Sequence, residues 1–294
     1  MTAAVETTGL AKRYGRTWAL RDCTLSVPAG RVAAVVGPNG AGKTTLMRLA
    51  VGLRRPTRGS VSVFGRSPRD DATSLTRVGF VAQETPLYRD LSVEDHLEMG
   101  RRLNGDAWDQ ASAAARLDKL AIPAERRAGE LSGGQRAQVA LTIALAKRPD
   151  LVVLDEPVAS LDPLARRTFL SELMGEVADR ELTVLLSSHL IADLEHRCDY
   201  LVILSDSRVQ VLGDVDELLT THRVLVGPVD APPPAGSVIG SRSTGRQRTL
   251  VVRTDRVGAP TPGWDAEPIS LEDLVLAYLG QPEAGTLPGP EGPV

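Results

Sequence analysis

Cysteine is nearly missing: the chain of 294 residues holds two, Cys23 and Cys198. Their separation matches no metal-ligand or redox spacing, which excludes a disulfide framework and leaves two thiols suited to a reducing cytosol. Lysine is almost as scarce, with four (Lys12, Lys43, Lys119 and Lys147) among 34 basic residues. Set against 37 acidic residues, these give a net charge of −3, too small for a field that would point to nucleic acid or anionic lipid. The opening stretch MTAAVETTGLAKRYG has no apolar region of the kind a cleaved signal peptide needs. No run of about 18 apolar residues occurs, so no membrane-spanning helix is expected. If the protein works at a membrane, a partner must do the spanning. What is present is apolar content for a core: 42% of the residues are hydrophobic. At ~100–200 residues per domain, the length suits one large domain, or one large and one small.

The patterning sets an order of elements. The first 65 residues read as short β segments with turns, an N-terminal antiparallel β region. Residues 31–36 (RVAAVV) form a short apolar run, the mark of a strand buried on both faces, and a helix is predicted from Lys43 to about Val51. Residues 61–65 and 78–81 read as further strands, and the stretch from about 92 to 147 has helical spacing. Beyond it, strands at 151–154, 182–186 and 200–204 alternate with helices at 163–178 and 190–195. Such strand–helix–strand units predict an α/β fold with a mainly parallel sheet flanked by helices. Composition shifts near residue 223, where β-like pieces (223–226 and 249–253) surround the break Ala231-Pro232-Pro233-Pro234, and an apolar helix follows at 271–279. The expected organisation is a main domain over 1–222 with a helical subdomain at about 84–148. A small C-terminal β/α extension over 223–280 and a disordered tail over 281–294 complete it.

Three motifs carry chemistry. Gly37-Pro38-Asn39-Gly40-Ala41-Gly42-Lys43-Thr44 fits G-x-x-x-x-G-K-[ST], between a buried strand and a helix. Glycines let backbone N–H groups turn toward phosphate oxygens, and the helix adds its unpaired N–H groups and the positive end of its dipole. Lys43 would reach the β- and γ-phosphates, and the Thr44 hydroxyl would ligate Mg²⁺. Leu151-Val152-Val153-Leu154-Asp155-Glu156 delivers two carboxylates at the C-terminal edge of a buried strand, where open α/β sheets bind ligands. Adjacent strand residues face opposite ways, but at the strand end the chain can bend and let both carboxylates approach one ligand. Asp155 would hold Mg²⁺ and Glu156 would activate a water. Third, Leu131-Ser132-Gly133-Gly134-Gln135 precedes a helix. Ser132 with Gln135 has the spacing of a capping box, but two glycines in a first turn cost ~1 kcal/mol each relative to alanine. They make sense if another backbone, or an anion, comes close to that helix start.

With these residues in view, the chain resembles the ATP-binding subunits of ABC transporters over roughly residues 4–222. The phosphate loop is similar to the family's Walker A motif, the acidic strand to Walker B, and residues 131–135 to the LSGGQ signature. The resemblance implies a P-loop NTPase fold, binding of ATP and Mg²⁺, and ATP hydrolysis coupled to transport. It places Tyr14 where the family stacks adenine on an aromatic ring, and adds Thr45 to the phosphate loop. Gln83 falls where a glutamine links the nucleotide and its metal to the helical subdomain. Ser160-Leu161-Asp162 matches the D-loop, with alanine at 159 where serine is commoner at the motif's start and serine at 160 where alanine is. His189 matches the switch histidine. Asp162 before Pro163 also reads as a helix cap.

The resemblance further implies a homodimer or heterodimer of ATPase subunits with nucleotide between them. Integral-membrane permease subunits on other chains would hold that dimer at the inner face of the cell membrane, and no nucleic acid is expected as a partner. A soluble ABC ATPase of the cluster-assembly type is the alternative. A GTPase is disfavoured, since no Asn-Lys-x-Asp motif occurs. The extension of about 60 residues is short for a sugar-type importer and resembles those of drug and polymer exporters, so export is expected. The segment 84–89 offers Leu87 and Tyr88 as apolar anchors for a permease helix, or else as core of the helical subdomain.

Overall fold

The computed structural model describes residues 2–70, 76–232, 234, 236–254 and 262–281. The proline- and glycine-rich tail expected from 281 onward lies outside these residues apart from Gln281.

The chain opens on a long antiparallel hairpin, β1 (Ala3–Tyr14) and β2 (Thr17–Pro28). After β3 (Val32–Val36) and α1 (Lys43–Ala50), β4 (Arg58–Val63) returns to β1 and completes a three-stranded antiparallel sheet. β5 (Val78–Val81) leads into a helical region of α2 (Val93–Asn104), α3 (Gln110–Lys119) and α4 (Gly133–Ala146). Strands and helices then alternate: β6 (Leu151–Leu154), α5 (Pro163–Arg180), β7 (Thr183–Ser187), a 3₁₀ turn at Ile191–Asp193, and β8 (Tyr200–Ser205). β9 (Arg208–Asp214) and α6 (Val215–Thr221) close the main part. The rest is β10 (His222–Pro228), β11 (Ser237–Thr244), β12 (Gln247–Arg253), β13 (Asp265–Pro268) and α7 (Leu271–Gly280).

The central sheet has the order β5-β6-β7-β3-β8-β9, parallel through β8 with β9 antiparallel at the edge. Every residue of β3, β6, β7 and β8 is buried, as strands covered on both faces must be. Alternation sorts their side chains. Ala33, Val35, Leu151 and Val153 face the antiparallel sheet and α1. Val32, Ala34, Val36, Val152 and Leu154 face α4 and α5. The helical region has a core of its own around Val93, Leu97, Trp108, Leu117 and Val139.

The small C-terminal sheet, β11-β12-β10-β13, has a slight core of Leu225, Leu250, Val252 and Trp264. Its helix α7 instead buries Leu271, Leu274, Val275 and Tyr278 in the main core. The Tyr278 hydroxyl lies 2.8 Å from His222 Nε2, and both side chains are fully buried. The extension is thus stitched into the main part.

Candidate active site

β3 feeds the loop 37–44 directly. Gly42 caps α1 with a φ of 108°, and a Cβ there would lie 2.4 Å from the Ala19 carbonyl oxygen. Only glycine fits that turn against β2. No side chain caps α1 and its first turn has no acidic residue, so its N–H groups are free to meet an anion. Lys43, 5% exposed, donates from Nζ to the carbonyls of Gly37 at 2.8 Å and Pro38 at 3.3 Å. The same ammonium lies 3.6 Å from Glu156 Oε1.

β6 delivers Asp155, fully buried, to the foot of this loop. Its Oδ1 accepts hydrogen bonds from the hydroxyls of Thr44 at 3.0 Å and Ser187 at 3.1 Å. Its Oδ2 is buried without a partner. Burial pushes the Asp155 carboxyl above its ordinary range, and the two hydroxyls pull it back. The next residue, Glu156, has a φ of 46°, a left-handed step that breaks strand alternation. That step turns the Glu156 carboxylate to the same side as Lys43. Its Oε2 accepts from Gln83 Nε2 at 3.4 Å and lies 3.3 Å from His189 Nδ1. Gln83 follows β5 and His189 follows β7, so adjacent C-terminal strand ends supply the whole cluster.

The residues fit a divalent cation. An unpartnered buried carboxylate oxygen beside a hydroxyl is the hard oxygen donor set Mg²⁺ takes, with water completing the shell. Thr44 and Asp155 would hold it. The Gln83 amide is engaged with Glu156, and its oxygen is left as a further donor.

The LSGGQ residues form a second cluster. Ser132 and Gln135 make both hydrogen bonds of a capping box at the start of α4. The expectation for the two glycines divides. A Cβ on Gly134 would lie 2.8 Å from Ala165 Cβ, so what crowds this glycine is a side chain of α5 in the same chain. A Cβ on Gly133 would meet nothing nearer than Leu161 Cδ2 at 3.9 Å. Asp162 caps α5 by accepting from the N–H groups of Leu164 and Ala165. Among the described residues, no hydrogen bond or ion pair joins Ser132, Gly133, Gly134, Gln135 or Asp162 to the cluster around Lys43. Tyr14, 44% exposed, ends β1 with the Lys12 ammonium 5.2 Å from its ring centroid. The sequence reading missed Ser187, whose only signal was a hydroxyl ending an apolar strand.

A groove of about 610 Å³ opens between the helical region and the central sheet, lined by Arg48, Leu53, Pro86, Leu87, His96 and Met99 among others. Tyr88 is 63% exposed at the start of the same region and stacks on His96.

The family model for ABC transporters matches residues 20–159. The Nod factor export ATP-binding protein I of Burkholderia orbicola is 34% identical over 211 residues, covering 70% of this chain and 69% of that one. The chain belongs to the ABC transporter family. The sulfate/thiosulfate import ATP-binding protein CysA of Yersinia pseudotuberculosis is 33% identical over 223 residues, 73% of this chain. The ABC chain spans 61% of that relative's length. A solved ATP-binding subunit of an ABC transporter superposes with a TM-score of 0.66 at 31% identity, covering 73% of this chain and 91% of that one. The fold is that of an ABC ATP-binding cassette, a P-loop NTPase with a helical subdomain.

Proposed function

We propose that this cassette hydrolyses MgATP in a head-to-tail pair of copies and so drives a separate membrane permease. The observation that carries the reading is the meeting of Lys43, Thr44, Gln83, Asp155, Glu156 and His189 at one sheet edge. The loop 37–45 cradles the phosphates and Lys43 neutralises their charge. Thr44 and Asp155 would hold Mg²⁺, which would supply positive charge to offset that of the phosphates. Glu156, held by Gln83 and His189, takes the proton of the attacking water. The second cluster stands apart from this one and turns Ser132 and Gly133 outward, which suits a role on the nucleotide of the other copy, with Asp162 beside it. Tyr14 stacks on the adenine.

The relatives divide by direction, one named for import and one for export. The short extension, β10 to α7, favours export. The permease docks in the groove beside Leu87 and Tyr88 and holds the cassette at the inner face of the membrane.

Steady-state hydrolysis by the purified chain tests the core of this. The Glu156→Gln variant should keep ATP affinity while turnover falls by about 100-fold or more, because shape survives and the base is lost. Lys43→Ala should lose affinity and turnover together. Unchanged turnover in Glu156→Gln would remove Glu156 from the mechanism.

A further inference from the structure

Ser187 takes no part in the reading above, yet its hydroxyl joins the Asp155 carboxylate to the backbone N–H of Glu156 at the centre of the site. It ends β7, which runs parallel to β6 with Leu186 opposite Leu154, so it stands beside Asp155. Its side chain is fully buried. The O–H donates to Asp155 Oδ1 at 3.1 Å, and the oxygen accepts the Glu156 N–H at 2.8 Å. A hydroxyl has one proton and two lone pairs, so a single orientation satisfies both contacts.

Each contact has a consequence. On Asp155, the Ser187 and Thr44 hydroxyls share one oxygen, which fixes the carboxylate with Oδ2 turned away from both. On Glu156, the hydroxyl captures the N–H of a residue in the left-handed region. A side chain other than glycine holds that conformation only where its surroundings over-determine it. An apolar residue at 187 would leave the Glu156 N–H without this acceptor and free the Asp155 carboxylate to rotate. The neighbouring Ser188 differs: among the described residues its hydroxyl bonds to Leu190 alone, inside its own turn.

We propose that Ser187 is a positioning residue for hydrolysis, its hydroxyl locking Asp155 and Glu156 into the mutual orientation the reaction uses. This rests on the ATPase reading above. It concerns the step after nucleotide binding, since the Ser187 hydroxyl makes no hydrogen bond to the phosphate loop or Lys43 among the described residues.

The test compares Ser187→Val with Ser187→Thr in the purified full chain. The two side chains have nearly equal volume and differ in the hydroxyl. Ser187→Ala replaces the valine variant if that one fails to fold, and melting checks each. Turnover is read beside ATP affinity measured at equilibrium without metal. Valine or alanine should lower kcat by about tenfold or more, with KM and affinity within about twofold of the parent. Threonine should recover kcat to within about threefold of the parent. Equal kcat in the threonine and valine variants would overturn the proposal, as would a valine variant that loses affinity in proportion to turnover. A parent chain that binds ATP without hydrolysing it would overturn the ATPase reading and this inference with it. A parent that hydrolyses ATP no faster than its valine variant overturns this inference alone.

Discussion

Asp155 shows what a buried carboxylate costs when charge is counted residue by residue. It is fully buried, and one oxygen has no partner. Burial raises its carboxyl above the ordinary value of 3.8, so the folded chain holds this proton more tightly than the unfolded one. A raised acid of this kind contributes least at neutral pH, where it is ionised, and its cost fades as pH falls through the raised value. Asp155→Asn should therefore raise the melting temperature near neutral pH by about 2 °C, equivalent to ~1 kcal/mol. The difference from the parent should shrink as pH is lowered toward the carboxylate range, and Mg²⁺ should shift the melting of MgATP-bound parent but not of the variant. A variant less stable than the parent at neutral pH would show that the two hydroxyl contacts outweigh the burial. At this scale much was legible. Lys43, Thr44, Asp155 and Glu156 are unusual residue types in unusual places: one of four lysines after a glycine run, two acids ending an apolar strand. Ser187 was not legible, because a serine after Thr183-Val184-Leu185-Leu186 is as ordinary as a strand ending. The left-handed step at Glu156 was foreseen only as a bend, since backbone sign leaves no trace in an acidic side chain.

Among the elements, legibility followed apolar periodicity. The buried strands β3, β6, β7 and β8 and the helices α1, α4 and α5 fell within a few residues of expectation. β9 was missed because its turn, Asp206-Ser207, takes positive φ at both positions without the usual asparagine or glycine. β11 and β13 were missed because an edge strand with exposed side chains has no apolar alternation to read. The loop after Gln83 posed a choice between core and docking surface, and the structure divides it by residue. Leu87 is half-buried, packs on the helical core and also lines the groove. Tyr88 is exposed, with its ring stacked on that of the buried His96. Leu87→Ala should thus cost about 1–2 kcal/mol and lower the melting temperature by roughly 2–4 °C. Tyr88→Ala should leave melting and isolated ATPase activity unchanged while abolishing co-purification with the permease. Full transport with a normal complex in Tyr88→Ala would move the docking surface elsewhere.

At the scale of the whole molecule, one chain carries two clusters that no hydrogen bond or ion pair joins among the described residues. The cluster of Lys43, Asp155 and Glu156 ends the central sheet, and the Ser132–Gln135 cluster opens a helix in the helical region. If each nucleotide lies between the first cluster of one copy and the second of another, two differently damaged chains should repair each other in part. Lys43→Ala removes the phosphate contact. For the other lesion the structure selects Gly133 over Gly134. A side chain on Gly134 would strike Ala165, and the resulting loss could be misread as a lost nucleotide contact. A Cβ on Gly133 would make only an ordinary contact with Leu161, so Gly133→Asp adds a carboxylate without a clash against α5. At a helix start that carboxylate is favourable for the fold and repels a phosphate. A mixed pair concentrates both lesions in one composite site and leaves the other whole. With each variant inactive alone, an equal mixture should form half its pairs as mixed dimers and regain up to about a quarter of parent activity, if one intact site suffices. Activity should then follow the mixing ratio as the product of the two fractions. No recovery at any ratio, with mixed pairs shown by tagged co-purification, would mean that both sites must fire together or that each copy completes its own. A Gly133→Asp chain that is fully active alone would decide for the second.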